Sequence, residues 1–266
     1  MTTSSTTGDT ESSSASSSVS SAAYLTVIRA AIDQVGTGQP ARLAAAAGLL
    51  ADCVRKGGVI QAFGCGHSEA LAMEIAGRAG GLVPTNRIAL RDLVHYGGEP
   101  ATILADPGLE RDHTVARRLY DLAPVGPDDA FVIASNSGVN GSVVELARVV
   151  KAAGHPLIAI TSLAHSSGVD SRHPSGQKLL DLADVVLDNG APYGDAALPL
   201  PGGGSVGAVS SITAALLAQQ LVADVVARLL DAGITPPVYL SDNVPGGREH
   251  NAQTEARYAG RIRRTA

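Results

Sequence analysis

Ser135, Ser137 and Asn140 stand within six residues of one another in Ala134-Ser135-Asn136-Ser137-Gly138-Val139-Asn140-Gly141, with Gly138 between them. Two hydroxyls and an amide supply hydrogen-bond donors, and a glycine lets the backbone come close to a ligand. The apolar run Ala130-Phe131-Val132-Ile133 precedes the segment, and the helical pattern Ser142 to Val150 follows it. The first turn of a helix leaves N–H groups unpaired and carries partial positive charge, so the arrangement suits a phosphate. Ser, Asn and Gly also build ordinary turns and caps, so structural context decides between the two roles. Two further segments carry the same residue types: Thr161-Ser162 and Gly64-Cys65-Gly66-His67-Ser68. The latter resembles the opening of a dinucleotide-binding loop, but Glu69 stands where the third glycine belongs and would repel a pyrophosphate. Ser68 is expected to cap the helix that follows, with His67 facing the ligand.

Acid–base chemistry needs a carboxylate or imidazole that can reach a proton. Glu99, in the irregular loop His95-Tyr96-Gly97-Gly98-Glu99-Pro100, is the first candidate for a base; a solvated loop acid is the plainer reading. Glu249 and His250 open the last helical segment, where an acid also favours the helix dipole. His67 and His173 are further candidates, the latter beside Arg172. No HxxxH, HExxH or DxD spacing is present, so metal-free chemistry is expected, without a cofactor.

Those residues need a scaffold that gathers them. Two helices are predicted from Ala22 to Lys56, the second starting at Pro40 and ending at Gly57-Gly58. Short apolar strands follow at Val59 to Phe63, around Leu82 to Leu90, at Ala130 to Ala134, Pro156 to Thr161 and Asp184 to Asp188. Helices are expected between them at Glu69 to Arg78, Leu109 to Leu122 and Ser142 to Ala153. A Gly- and Pro-rich loop from Asn189 to Gly204 leads to a long helix from Ala208 to Leu230, then a short edge strand at Val238 to Leu240 and a helix from Arg248 to Arg263. Alternation of strands and helices implies βαβ units with right-handed crossovers, which bring the loops at Gly64, Ser135, Thr161 and Asn189 to one edge of a parallel sheet.

Composition narrows the function classes. With 25 acidic against 20 basic residues, the chain lacks the basic excess of nucleic-acid or anionic-membrane binders. Cys53 and Cys65 are too few for a disulfide scaffold and read as thiols of a cytoplasmic protein, with Cys65 a small packing residue. No signal peptide or apolar run of membrane-spanning length is evident. Fifteen of the first 21 residues are Ser or Thr, so residues 1–21 are expected to be disordered and 22–266 to form a single domain.

Together, Gly64-Cys65-Gly66-His67-Ser68, Ser135-Asn136-Ser137-Gly138-Val139-Asn140 and Thr161-Ser162 resemble the SIS (sugar isomerase) family. Arg78-Ala79-Gly80-Gly81-Leu82, Ser171-Arg172-His173, Asp188-Asn189 and Glu249-His250-Asn251 bring the chain near a bacterial subgroup similar to N-acetylglucosamine-6-phosphate dehydratases. The resemblance implies an α/β three-layer sandwich around a five-stranded parallel sheet and a homodimer with sites near the subunit interface. It assigns the phosphate of an amino-sugar 6-phosphate to Ser135, Ser137 and Asn140, with Ser68 and Ser162 nearby. Gly66, Asn136, Thr161, His173 and Asn189 complete the expected binding set. Many relatives have Thr in place of Asn140. Relatives that are lyases carry a catalytic Glu in a loop comparable to that of Glu99, which implies C2 proton abstraction there and loss of the C3 hydroxyl, assisted by His67 or the Glu249–His250 pair. Aldose–ketose isomerisation begins alike, and a phosphosugar sensor without turnover is the alternative outside enzymes.

Overall fold

The computed structural model describes residues 18–264. The expectation of a disordered tail therefore falls largely outside the described residues; at its end Ser20 accepts a hydrogen bond from the Ala23 N–H and caps α1 (Ser21–Thr37). Helix α2 (Pro40–Arg55) starts at its proline, and Gly57 takes the left-handed conformation beyond its end.

Five strands, β1 (Ile60–Gly64), β2 (Thr85–Ile88), β3 (Ala130–Ala134), β4 (Leu157–Thr161) and β5 (Val185–Asp188), form one all-parallel sheet in the order β2-β1-β3-β4-β5. Side chains alternate between its two faces. Ala130, Val132 and Ala134 of β3 meet α2, α3 (Glu69–Ile75) and the long α9 (Ser210–Asp231) on one side. Phe131 and Ile133 meet α5 (Val115–Leu122), α6 (Gly141–Ala152) and α8 (Leu179–Leu182) on the other. This is the expected α-β-α sandwich. Short helices α4 (Asp92–His95) and α7 (Leu163–Ser167) follow β2 and β4, and α10 (Gly247–Ala256) closes the chain.

Several local expectations change. The loop from Asn189 holds a hairpin, β6 (Ala196–Pro199) and β7 (Ser205–Ala208), pinned to α1 by Tyr24, whose hydroxyl donates to the Ala208 carbonyl at 2.5 Å. The helix expected over Leu109–Leu122 is interrupted, because the Asp112 carboxylate accepts from the Thr114 N–H (2.8 Å) and hydroxyl (2.7 Å) and turns the chain. Helix α3 stops at Ile75, where Gly77 adopts φ +77°. Residues Val238–Leu240 contribute one antiparallel bridge, Leu82 to Val238, rather than a strand. Helix α9 has the length and apolarity to cross a bilayer, contrary to the reading above, but Leu217, Leu221, Val225 and Leu229 are buried in the core against α2.

Candidate functional site

The parallel order with its reversal between β1 and β3 opens a crevice at the carboxyl ends of those strands. His67, Ser68, Ser135, Asn136 and Asn189 line a cleft there. Five of the predicted residues, from three separate segments, thus come together. His67 is exposed and Ser68 half-buried. Ser68 has helical backbone angles at the end of a 3-10 turn over Gly66–Ser68, and its hydroxyl makes no capping bond. The capping role expected of it is therefore corrected, and the hydroxyl is left for the cleft.

The Ser135 hydroxyl accepts the Gly138 N–H at 3.1 Å, which closes the turn through Ser137; Gly138 holds φ +67°, a conformation that favours glycine. Ser137 is half-buried on that turn, just before α6. Thr161 and Ser162 are fully buried and serve the frame: Thr161 Oγ1 donates to the Asn136 carbonyl (3.3 Å), and Ser162 Oγ to the Ala191 carbonyl (2.6 Å). Asn189 Nδ2 donates to Asn136 Oδ1 at 3.1 Å, tying the end of β5 to that of β3.

Four predicted residues stand elsewhere within one chain. Glu99 pairs with Arg118 at 2.8 Å, outside the cleft lining. His173 is buried behind α6, where its Nδ1 lies 2.8 Å from Ser175 Oγ and its Nε2 lies 2.9 Å from Glu145 Oε2 without hydrogen-bond alignment. Glu249 and His250 sit on α10, which packs beside Val238 and Tyr239. Tyr239 clusters with Val59 and Val83, the residues just before β1 and β2, so α10 occupies the amino-terminal rim of the sheet, opposite the cleft.

Asn140 is committed on both sides: Nδ2 donates to Glu110 Oε1 (3.0 Å), and Oδ1 accepts from Arg172 (2.9 Å). That leads to two residues that sequence reasoning missed. Glu110, in the 3-10 turn Leu109–Arg111, lies beside Gly66 of the glycine loop and the start of α6. A Cβ on Gly66 would lie 3.5 Å from its Oε2, and its carbonyl accepts from Ser142 Oγ at 2.7 Å. Ser211, exposed at the start of α9, lines the cleft beside Ser210. The Asp195 carboxylate caps that helix through the Ser210 N–H (2.8 Å) and hydroxyl (2.6 Å), leaving Ser211 toward the opening. A Ser-Ser pair after a Gly-rich loop was the available signal.

Cys65 lies 3.5 Å from Ser142 Oγ, and its thiol is pushed up to about 12, first by burial and further by the Glu110 and Glu69 carboxylates. A thiol so protonated at neutral pH is a poor nucleophile, in keeping with a packing role. Iodoacetamide at pH 7 should leave it unmodified for hours in the folded protein and alkylate it promptly in urea; fast native-state alkylation would contradict this placement.

The family model described as "SIS domain" matches residues 23–162. A UPF0309 protein of Listeria monocytogenes is 42% identical over 221 residues, covering 82% of this chain and 88% of that protein. A UPF0309 protein of Streptomyces coelicolor is 41% identical over 219 residues, covering 82% and 86%. Among solved structures, a phosphoheptose isomerase from Francisella tularensis superposes with a TM-score of 0.52 at 17% identity, covering 77% of this chain and 95% of that one. The phosphoheptose isomerase of Neisseria gonorrhoeae gives 0.51 at 21% identity, covering 77% and 96%. These likenesses speak to the shared fold. With the family model spanning more than half its length, the chain belongs to the SIS-domain family.

Proposed function

We propose that the cleft binds the phosphate end of a sugar phosphate and that the protein is an enzyme acting at its C2 proton. The observation that carries this reading is the meeting of Ser68, Ser135 and Ser211 from three strand-end or helix-start segments. Ser137 and the first turn of α6 add donors at the adjoining turn. Once the sugar ring opens, its aldehyde acidifies the C2 hydrogen. Glu110, a carboxylate beside the glycine loop, takes the role of base; its Oε1 is oriented by Asn140 while Oε2 faces Gly66. Glu99 would serve only if its loop moved away from Arg118. His67, exposed on the cleft wall, is placed to hand a proton to a departing or ring oxygen. Glu249 and His250 would act in a neighbouring copy's cleft, within a homodimer.

The motif resemblance favours N-acetylglucosamine 6-phosphate as substrate and dehydration as outcome: base removal of H2, then loss of the C3 hydroxyl as water. Aldose–ketose isomerisation is the second reading, favoured by the two isomerases that share the fold. Mass spectrometry of N-acetylglucosamine 6-phosphate incubated with the protein should show a product lighter by one water. A ketose of unchanged mass, formed from a phosphosugar that carries a C2 hydroxyl in place of the acetamido group, would favour isomerisation, and an untouched substrate across a panel of phosphosugars would contradict both.

A further inference from the structure

Ser171, Arg172 and His173 stand outside the cleft lining, in the loop between α7 and α8. That loop is docked on the segment leading into α6. The Arg172 N–H donates to the Val139 carbonyl at 3.0 Å, one residue before Asn140. The Ser171 hydroxyl accepts the His173 N–H (3.1 Å) and donates to the Gln177 carbonyl (2.6 Å), which holds the bend of the loop. The buried His173 ring meets the His113 ring in a T-shaped contact, 5.4 Å between centroids. Arg172 and His173 therefore brace both the front of α6 and the chain just beyond the Glu110 turn.

The backbone of that turn is fixed on α6 by other means. A Cβ on Gly141 would overlap the Arg111 carbonyl oxygen, so glycine lets the turn lie flat on the helix start. Ser142 Oγ then bonds the Glu110 carbonyl at 2.7 Å. The Glu110 side chain needs its own anchor. Its Oε1 accepts from Asn140 Nδ2 at 3.0 Å, so whatever holds Asn140 decides where that oxygen sits. An ionised carboxylate only accepts and a guanidinium only donates, so the amide fits between them in one sense, with Oδ1 toward Arg172 at 2.9 Å. An amide bonded at both ends cannot turn about its broad terminal torsion, whereas one bonded at Nδ2 alone still swings.

We infer that Arg172 is a positioning residue for the base: it locks the Asn140 amide and so holds Glu110 Oε1, leaving Oε2 toward Gly66. The inference rests on the reading of Glu110 as the base. Arg172 acts through Asn140 and not on the substrate.

Exchange of the C2 hydrogen of N-acetylglucosamine 6-phosphate in deuterium oxide is the readout, with calorimetric affinity beside it. Arg172 is exposed, so its variants should fold. Arg172→Met keeps an aliphatic stem and removes every donor. It should slow exchange about tenfold, short of the roughly hundredfold that a 1 Å misplacement of reacting groups can cost, while affinity stays within about twofold. Arg172→Lys returns a donor to Oδ1 and should restore most of the rate. In an Asn140→Ala background, Arg172→Met should cause no further loss, because the effect passes through that amide. An unchanged rate in Arg172→Met overturns the inference, as does a loss of affinity that matches the loss of rate, or a further loss on top of Asn140→Ala. Exchange lost in Glu110→Gln yet kept in Arg172→Met removes the positioning role alone. Wild-type protein that exchanges no phosphosugar of the panel removes Glu110 as the base, and this inference with it.

Discussion

Glu110→Gln should lower turnover by roughly 10²- to 10⁴-fold, the usual contribution of a positioned general base, while leaving substrate affinity within a few-fold of wild type. The amide has the shape of the carboxylate and can keep a bond to Asn140 and the packing under Gly66. It cannot accept a proton. The same variant should stop exchange of the substrate's C2 hydrogen with deuterium oxide, a readout that precedes any choice between dehydration and isomerisation. Glu99→Gln removes an outer ion pair with Arg118, whose side chain is 45% exposed, and should change exchange little. If Glu99→Gln abolishes exchange and Glu110→Gln does not, the base has been misassigned.

The largest expected effect on stability lies at the opposite rim of the sheet. Asp129, fully buried just before β3, accepts from the Val59 N–H (2.8 Å), Gln61 Nε2 (2.9 Å), the Gly126 N–H (3.0 Å) and Arg261 (2.6 Å). It thus ties the start of β1, the turn before β3 and the C-terminal segment into one network. Asp129→Ala strands four donors, and breaking a buried charge pair from one side typically costs about 3–5 kcal/mol. Urea unfolding should show a loss of that size, with Arg261→Ala costing less because that side chain is 34% exposed. The double variant should cost less than the sum, since both changes break one shared interaction. Additive losses would mean that the two residues do not act as a unit.

Much of the framework was legible before any coordinates. Strand β3 occupies the predicted Ala130–Ala134, because a run of apolar residues bounded by Asp129 and Ser135 has few other uses. Parallel-sheet geometry then turned distant sequence segments into neighbours, which is why His67, Ser68, Ser135, Asn136 and Asn189 meet as expected. The misses share a physical origin. Hairpin β6–β7 has no apolar–polar alternation and owes its place to Tyr24 and α1. Glu110 falls within the continuous helix that the sequence predicts, and only the Asp112–Thr114 turn, which breaks that helix, sets its carboxylate beside Gly66 and Asn140. Asn140 has the right chemistry for a phosphate, but its neighbours Glu110 and Arg172 take both ends of its amide. Residue type announces what a side chain is able to do; its partners decide what it does.

Binding of the phosphate end can be isolated from everything downstream by calorimetric titration of N-acetylglucosamine 6-phosphate into wild-type protein and into Ser137→Ala/Ser211→Ala. Each hydroxyl that donates to a charged group is worth about 1.5–3 kcal/mol, so the double change should weaken binding by more than tenfold. N-acetylglucosamine itself should bind neither protein measurably. Equal affinity of the two proteins for the phosphosugar would show that its anionic end is held somewhere other than this cleft.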